Sequence, residues 1–366
     1  MRPAAVEAML PMLTQLYANP TGAHVMARDA RRAIDEARDV VAASLGVDPG
    51  EVVFCGDGTE ADNMAVLGVM HRCGPDAVAV CSAVEHHGVL YPVEHVGGRV
   101  VGVDREGRVD LDQLADALDP AVRIVSVMAV NNEVGTIQPL VAIAAIVRER
   151  APQALLHTDA VQGFPWLDAE AFVGPADLIS VSGHKFGGPK GCGVLVVRNG
   201  VVLEPLVYGG GQERDRRSGT HNVAGIVALA VAMRETTENR DADAVRLGGL
   251  RDGLVDGVLA AVADAVETVP RNAKVAGSGH VCIEGVESEA LLYLLEKGGV
   301  CASAGSSCSS GSIQLSHVLA AMGVERSLGM GALRLSLGWA STQADVDQAL
   351  SVLPAAVAQL RRRIAS

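Results

Sequence analysis

The sequence predicts an α/β protein: a mainly parallel sheet covered by helices, followed by a smaller C-terminal α+β domain. Three observations carry that reading. Continuous apolar runs recur, "VVFCG" (52–56), "AVAVCSA" (77–83), "RIVSVMAV" (123–130), "ALLHTDA" (154–160), "LISVSG" (178–183) and "GVLVV" (193–197), and such runs read as strands buried on both faces. Helical patterns lie between most of them, such as "GTEADNMAVLGVM" (58–70) and "PLVAIAAIVRERA" (139–151), and strands alternating with helices call for parallel pairing. Beyond about residue 240 the order becomes a long helix (about 243–264), a strand, a helix, a loop, the strand "ALRLSLG" (332–338) and a final helix. That tail has too few strands to extend the first sheet.

Taken in order, "MRPAAVEAMLPML" reads as an amphipathic turn or helix holding Glu7, without the basic-then-apolar order of a secretory signal. A helical pattern from Ala23 to Leu45 closes on Gly46, a C-cap candidate. Alternating strands and helices then run to the tail. The expected division is a large domain over 6–238 and a small one over 239–366, with residues 1–5 a candidate to pack on the latter. Two domains also suit the length of 366 residues, because single cores stop growing at about 250–300.

Composition excludes several classes of function. With 49% apolar and 20% charged residues, the chain is folded rather than disordered. Its longest apolar stretches, such as "AGIVALAVAM" (224–233), are too short to span a membrane. A formal net charge of −13 opposes broad attraction to nucleic acid or anionic lipid. The seven cysteines form an odd number without CxxC spacing, against both a disulfide framework and a zinc site. Cytoplasm is the default location. Most cysteines lie in apolar runs, but Cys308 lies in "ASAGSSCSSGS" (302–312), a Gly/Ser-rich loop sequence.

In open parallel sheets ligands sit beyond the C-terminal ends of the strands, so the polar residues that close the strands belong together. "CGDGTEADN" (55–63) is a glycine turn entering a helix, where the N–H groups of Gly58, Thr59 and Glu60 are expected to be free for an anion such as phosphate. "AVEHH" (83–87) puts His86 past a strand end, and "VNNEVG" (130–135) and "HTDAVQG" (157–163) supply Asn132, Asp159 and Gln162. "VSGHK" (181–185) ends a strand with Ser182, His184 and Lys185, one of only four lysines in the chain. Each has a plain structural explanation alone. Jointly they describe a pyridoxal phosphate site: a helix N-terminus for the phosphate, a carboxylate for the ring nitrogen, amides for the phenolic oxygen and a lysine for the Schiff base.

On "NNEVG", "HTDAVQ", "SGHKFGGPKG", "GGGQERDRRSGT" (209–220) and "SSCSSGS" the chain resembles the group I, NifS/IscS-like cysteine desulfurases, class V aminotransferases of the fold-type I pyridoxal phosphate enzymes. The resemblance runs from about residue 1 to the helix after "RLSLG". It implies that Lys185 holds the cofactor and that Asp159 keeps its ring nitrogen protonated. Asn132 and Gln162 then bond the phenolic oxygen, while His86 stacks on the ring and moves protons. Thr59, Ser182 and His184 take the phosphate, joined by Thr220 from the other subunit of a homodimer. Arg334 takes the carboxylate of the substrate, L-cysteine, with a guanidinium fork. Released Lys185 removes the Cα proton, and the thiolate of Cys308 attacks the substrate sulfur, leaving alanine and a persulfide on the enzyme. A protein acceptor, an iron–sulfur scaffold or a thiolation protein, would receive that sulfur.

Three features depart from the family pattern. Asp57 replaces a small residue in the phosphate turn, Asp215 replaces a glycine in "QERDRRSG", and the chain opens on "MRPAAVEAML" where relatives have a further short strand and an "NAATTP"-like turn. Either the start is mis-assigned or that wall of the substrate site is missing. Two rival readings stand beside the desulfurase: another class V pyridoxal phosphate enzyme (aminotransferase, epimerase or selenocysteine lyase), and a non-catalytic scaffold paralogue.

Overall fold

The strands predicted from the apolar runs form one seven-stranded sheet: β1 (Val52–Cys55), β2 (Val78–Ser82), β3 (Arg99–Val101), β4 (Val122–Ser126), β5 (Leu155–Asp159), β6 (Leu178–Ser182) and β7 (Gly193–Val197), ordered β1-β7-β6-β5-β4-β2-β3. The computed structural model describes residues 1–305 and 314–364. From β3 to β6 every pairing is parallel, whereas β7 runs antiparallel to both β6 and β1. All strands but β7 therefore point the same way, and their C-terminal ends share one edge of the sheet. Strands β1, β6 and β7 are buried at every position, which is why they read as unbroken apolar runs.

Helices α1 (Pro3–Thr14), α2 (Val25–Leu45), α3 (Gly58–Arg72), α4 (His87–His95), α5 (Leu111–Ala117), α6 (Leu140–Arg150) and α7 (Glu170–Val173) alternate with these strands. Gly46 caps α2 in the left-handed conformation, φ 65°, as its sequence position predicts. Nine residues of the 15-residue α3 are buried. Its Met64, Val66 and Val69 join Val53, Val89, Val93, Ile124 and Leu195 in one apolar cluster. Each large apolar side chain fully buried there contributes about 1.5–3 kcal/mol, so α3 is locked with its N-terminus at the C-terminal end of β1.

The chain divides into two compact units. Met1–Val101, Leu111–Ala129 and Pro139–Arg240 make the first; Gly102–Asp110, Val130–Gln138 and Asp241–Ser366 make the second. The sequence expectation had neither the N-terminal residues in the first unit nor the two internal segments in the second. Arg2 donates from its backbone N–H to Gly187 O (2.8 Å) and from Nε to Phe186 O (2.9 Å), so the N-terminal residues belong to the first unit. Within the second unit, Ile137 N–H donates to Ala273 O (3.0 Å), Val275 N–H to Gly135 O (3.1 Å) and Val109 N–H to Gln138 Oε1 (3.0 Å). Those bonds tie 102–110 and 130–138 to the C-terminal part, a long-range pairing that no local pattern announces.

The long helix also starts earlier than predicted. α8 runs Val223–Ala261 without interruption, because "RETTENRDA" (234–242) contains neither glycine nor proline and polar residues alone do not stop a helix. The second unit then adds β8 (Ala265–Glu267), β9 (Ser278–Ile283) and β10 (Ala332–Ser336) as an antiparallel sheet ordered β10-β9-β8. With it come α9 (Ser288–Lys297), α10 (His317–Ala321), α11 (Arg326–Gly329) and α12 (Gln343–Ile364). Among the described residues, no helix is long and apolar enough to cross a membrane.

Candidate active site

The shared edge of the first sheet gathers the predicted residues of the first unit. β1 and β6 flank the start of β7, where Gly193 pairs with both Cys55 and Ser182. The turn before α3 and the turn Gly183–Lys185 after β6 are thus one strand apart. Gly193 must lack a side chain: a Cβ there would approach the Asp57 carbonyl carbon to 2.7 Å. Gly58 is equally constrained, since its Cβ would come within 2.8 Å of Val161 Cγ2 and 3.4 Å of Ser182 Cβ. Ser182 is buried and its Oγ lies 2.9 Å from Nδ1 of His184, whereas Thr59, His184 and Lys185 are exposed.

The helix N-terminus departs from expectation at one donor. Asp57 is the N-cap of α3, and its Oδ1 accepts the Glu60 N–H at 2.8 Å. Of the three amides expected to be free, Glu60's is therefore taken by the chain itself. The first bond of the helix proper is Ala61 N–H to Asp57 O (3.1 Å), so the Gly58 and Thr59 amides lie N-terminal to it, where a helix start can take an anion. Glu60 turns back: its Oε2 accepts Gly56 N–H (2.6 Å) and its carboxylate pairs with Arg217 at 2.7 Å. That ion pair holds Arg217 above its usual value and fastens the 209–220 loop to α3.

Asp159 ends β5 with 5% exposure, one oxygen accepting Val161 N–H at 2.8 Å. Burial pushes its pKa up, opposed by that N–H and by the charges of His86 and Lys185. Gln162 follows in the next turn, half-buried. His86 is the N-cap of α4; its Nδ1 accepts Gly88 N–H at 3.0 Å, so the neutral ring carries its proton on Nε2. A Cβ on Gly88 would meet Asp62 Oδ2 at 2.9 Å, His86 Nδ1 at 3.1 Å and Thr59 Cα at 3.3 Å. One glycine thus lets the N-terminus of α3, the His86 turn and a buried acid converge.

Three residues of this cluster were not singled out from sequence. His157 is fully buried between Ser126 Oγ (2.7 Å) and Ser180 Oγ (2.9 Å), and burial lowers its pKa to about 3, so it is neutral. Asp62 is 1% exposed and lies 3.7 Å from His157 Nε2, with its Oδ1 lacking any hydrogen bond. Burial and then the charge of Asp159 raise its pKa well above the carboxylate range. Glu85, also buried, accepts Met128 N–H at 2.9 Å and the Ser82 hydroxyl, and burial pushes it up to about 8. The available signal was position: an ionisable residue inside an apolar run, as in "ALLHTDA", has to be buried and partnered.

In the second unit, Arg334 on β10 donates from Nη1 to Asn132 O at 2.9 Å, so these two predicted residues are neighbours. Glu133 is buried beside them, bonded to Ser316 Oγ and raised in pKa, chiefly by burial. A Cβ on Gly305 would come 2.7 Å from Glu133 Oε2. Cys308 lies outside the described residues. Thr220 is exposed at the end of the 209–220 loop.

These residues fit pyridoxal phosphate. His157 is neutral and the pKa of Asp62 is raised by burial, so Asp159 is the carboxylate best suited to face a ring nitrogen, and the missing side chains of Gly58 and Gly88 let the start of α3 close on Val161 and Ser182 and the start of α4 close on Thr59 and Asp62. Sheet order, glycine cradle, lysine turn and buried aspartate together define a class V aminotransferase fold, and the family model described as "Aminotransferase class-V" matches residues 1–349. An "IscS-like cysteine desulfurase" of Mycobacterium tuberculosis is 43% identical over 376 residues, 99% of this chain and 95% of that protein. Among solved structures, a "NifS-like protein" superposes with TM-score 0.88 at 33% identity, covering 99% of this chain and 96% of the other. One described as "SspA in complex with cysteine" gives TM-score 0.78 at 30% identity, covering 92% and 95%. The chain belongs to the class V aminotransferases and, within them, to the IscS-like cysteine desulfurases.

Proposed function

We propose that the chain transfers the sulfur of L-cysteine to Cys308 as a persulfide, releasing L-alanine, and that a homodimer does this for a protein acceptor such as an iron–sulfur scaffold or a thiolation protein. The observation that supports it best is the convergence of Lys185, Asp159, His86 and the α3 N-terminus on one edge of the sheet. Pyridoxal phosphate, when bound, draws electrons away from the substrate Cα. The protein's own part divides by residue. Lys185 would hold the cofactor, and its amine is the base placed to take the Cα proton. Asp159 pairs with the ring nitrogen, and Asn132 and Gln162 with the phenolic oxygen. His86, pinned by Gly88 N–H, offers an Nε2 proton. Gly58, Thr59, Ser182 and His184 hold the phosphate, with Thr220 supplied by the second subunit. Arg334 takes the substrate carboxylate bidentately. The six described cysteines are all free thiols, which suits the reducing cytoplasm.

The deciding experiment replaces the acceptor thiol. Cys308→Ser should bind cofactor and L-cysteine as the wild type does and lose alanine production by at least about 10²-fold, the loss expected for deleting a nucleophile. Alanine released from cysteine at the wild-type rate by this variant would sink the assignment.

A further inference from the structure

We propose that Asp57 acts as a built-in competitor of the cofactor's phosphate, making pyridoxal phosphate an exchangeable cofactor whose occupancy follows its supply. This rests on the reading of the α3 N-terminus as the phosphate cradle. A helix N-terminus favours an anion through its free amides and its dipole. Here both resources are partly spent on the chain's own carboxylate. Asp57 Oδ1 holds the Glu60 amide at 2.8 Å and places a full negative charge at the mouth of the helix. The neighbouring acid, Glu60, is neutralised by Arg217 at 2.7 Å and by Gly56 N–H. Asp57 has no such cation among the described residues: the one hydrogen-bonded partner of its carboxylate there is a neutral amide. It is therefore the uncompensated charge of the turn.

Geometry places that charge on the phosphate side. Asp57 adjoins Gly58 and Thr59, whose amides are the remaining donors, and its backbone packs on Gly193, the strand residue that pairs with Ser182. The Asp57 charge is felt at His184, two residues beyond Ser182, where burial and Lys185 together outweigh it and keep the imidazole below its usual value. His184 thus does not supply the balancing cation. The Asp57 backbone is extended, φ −169° and ψ −173°, a conformation any residue adopts, and its side chain is exposed. Substitution there can change the charge without disturbing the core.

The test uses apo-protein of the full chain, titrated with pyridoxal phosphate and, separately, with pyridoxal, following the absorbance of bound cofactor and its rate of release on dilution. Asp57→Asn keeps an acceptor for the Glu60 amide and removes only the charge; Asp57→Gly removes both. Both variants should bind pyridoxal phosphate about three- to thirtyfold more tightly than wild type, the range for a charge at a helix terminus, and release it correspondingly more slowly. The gain should shrink as salt is raised from 0.05 to about 1 M, because the charges are then screened. Affinity for pyridoxal, which has no phosphate, should be the same in all three proteins. Unchanged or weaker affinity for pyridoxal phosphate in Asp57→Asn overturns the proposal, as does an equal gain for pyridoxal. A folded wild type that takes up neither compound would instead overturn the cofactor reading on which it rests.

Discussion

At the scale of single residues, three acids crowd one edge of the sheet and differ only in surroundings. Burial raises all three; it is opposed at Asp159 by a backbone N–H and the charges of His86 and Lys185 and at Glu85 by the Ser82 hydroxyl and the Met128 N–H, whereas at Asp62 the charge of Asp159 adds to it. A cationic ring nitrogen held beside Asp159, as proposed, would select that carboxylate to carry the charge and leave the other two neutral. Glu85 makes the difference measurable. Its folded pKa is raised from 4.5 to about 8, so between those values the folded protein binds a proton that the unfolded chain has released, and stability falls as pH rises through that window. Glu85→Gln mimics the neutral acid and removes this dependence. Relative to wild type, the variant should therefore be roughly 2–4 kcal/mol more favoured at pH 8 than at pH 5, read from urea unfolding at the two pH values. An identical wild-type-to-variant difference at both would show that Glu85 is ionised in the fold.

At the scale of elements, the strands were legible because burial on both faces leaves no polar position to interrupt them, whereas their ends were not. β4 stops at Ser126, the last residue paired with β5, although the apolar run continues to residue 130. The candidate site residues stood out as strand-end polar groups, but Asp62 read as an ordinary helix position, and only the packing of α3 against the sheet buries it. Least legible was the clamp at Glu213, whose partner Arg38 is 175 residues away. Glu213, Arg214 and Asp215 all have positive φ (49°, 58°, 63°), a costly run for residues with side chains, and one that explains why a glycine suits position 215. The buried Glu213 carboxylate offsets that strain. It accepts from Arg38 at 2.6 and 2.9 Å, from Phe54 N–H at 2.9 Å and bonds His221 at 2.7 Å. Those donors overcome burial and bring its pKa down to about 2, so its stabilisation is present above about pH 4.5 and lost as pH falls towards 2. Glu213→Gln should lower stability by about 3–5 kcal/mol at pH 7, because Arg38 is left buried without its charge partner. The loss should diminish in acid; an unfolding free energy within about 0.5 kcal/mol of wild type at pH 7, read from denaturant titration, would mean the clamp does not hold the loop.

At the scale of the whole molecule, the question is whether the 209–220 loop serves its own chain or a second copy of it. The loop is fixed to its own chain by Glu213, by Arg217 on Glu60 and by Gln212 Oε1, which accepts Gly219 N–H at 2.8 Å where φ is 117°. Thr220 follows directly and is exposed, presented from a rigid base. If it completes the phosphate site of a second copy, the contact must be reciprocal, as in any two-fold dimer. Lys185→Ala should then give a homodimer that holds no covalently attached cofactor. Thr220→Ala should give one that needs about ten- to hundredfold more pyridoxal phosphate, the worth of a hydrogen bond to a charged group. In a heterodimer of the two variants, purified through two different tags, the site with an intact Lys185 receives the intact Thr220 of its neighbour. It should bind one cofactor per dimer with wild-type affinity and show half the wild-type activity. Were Thr220 to serve its own subunit, the sole lysine-bearing site would keep the Thr220→Ala defect, and the heterodimer would bind its cofactor as weakly as the Thr220→Ala homodimer does.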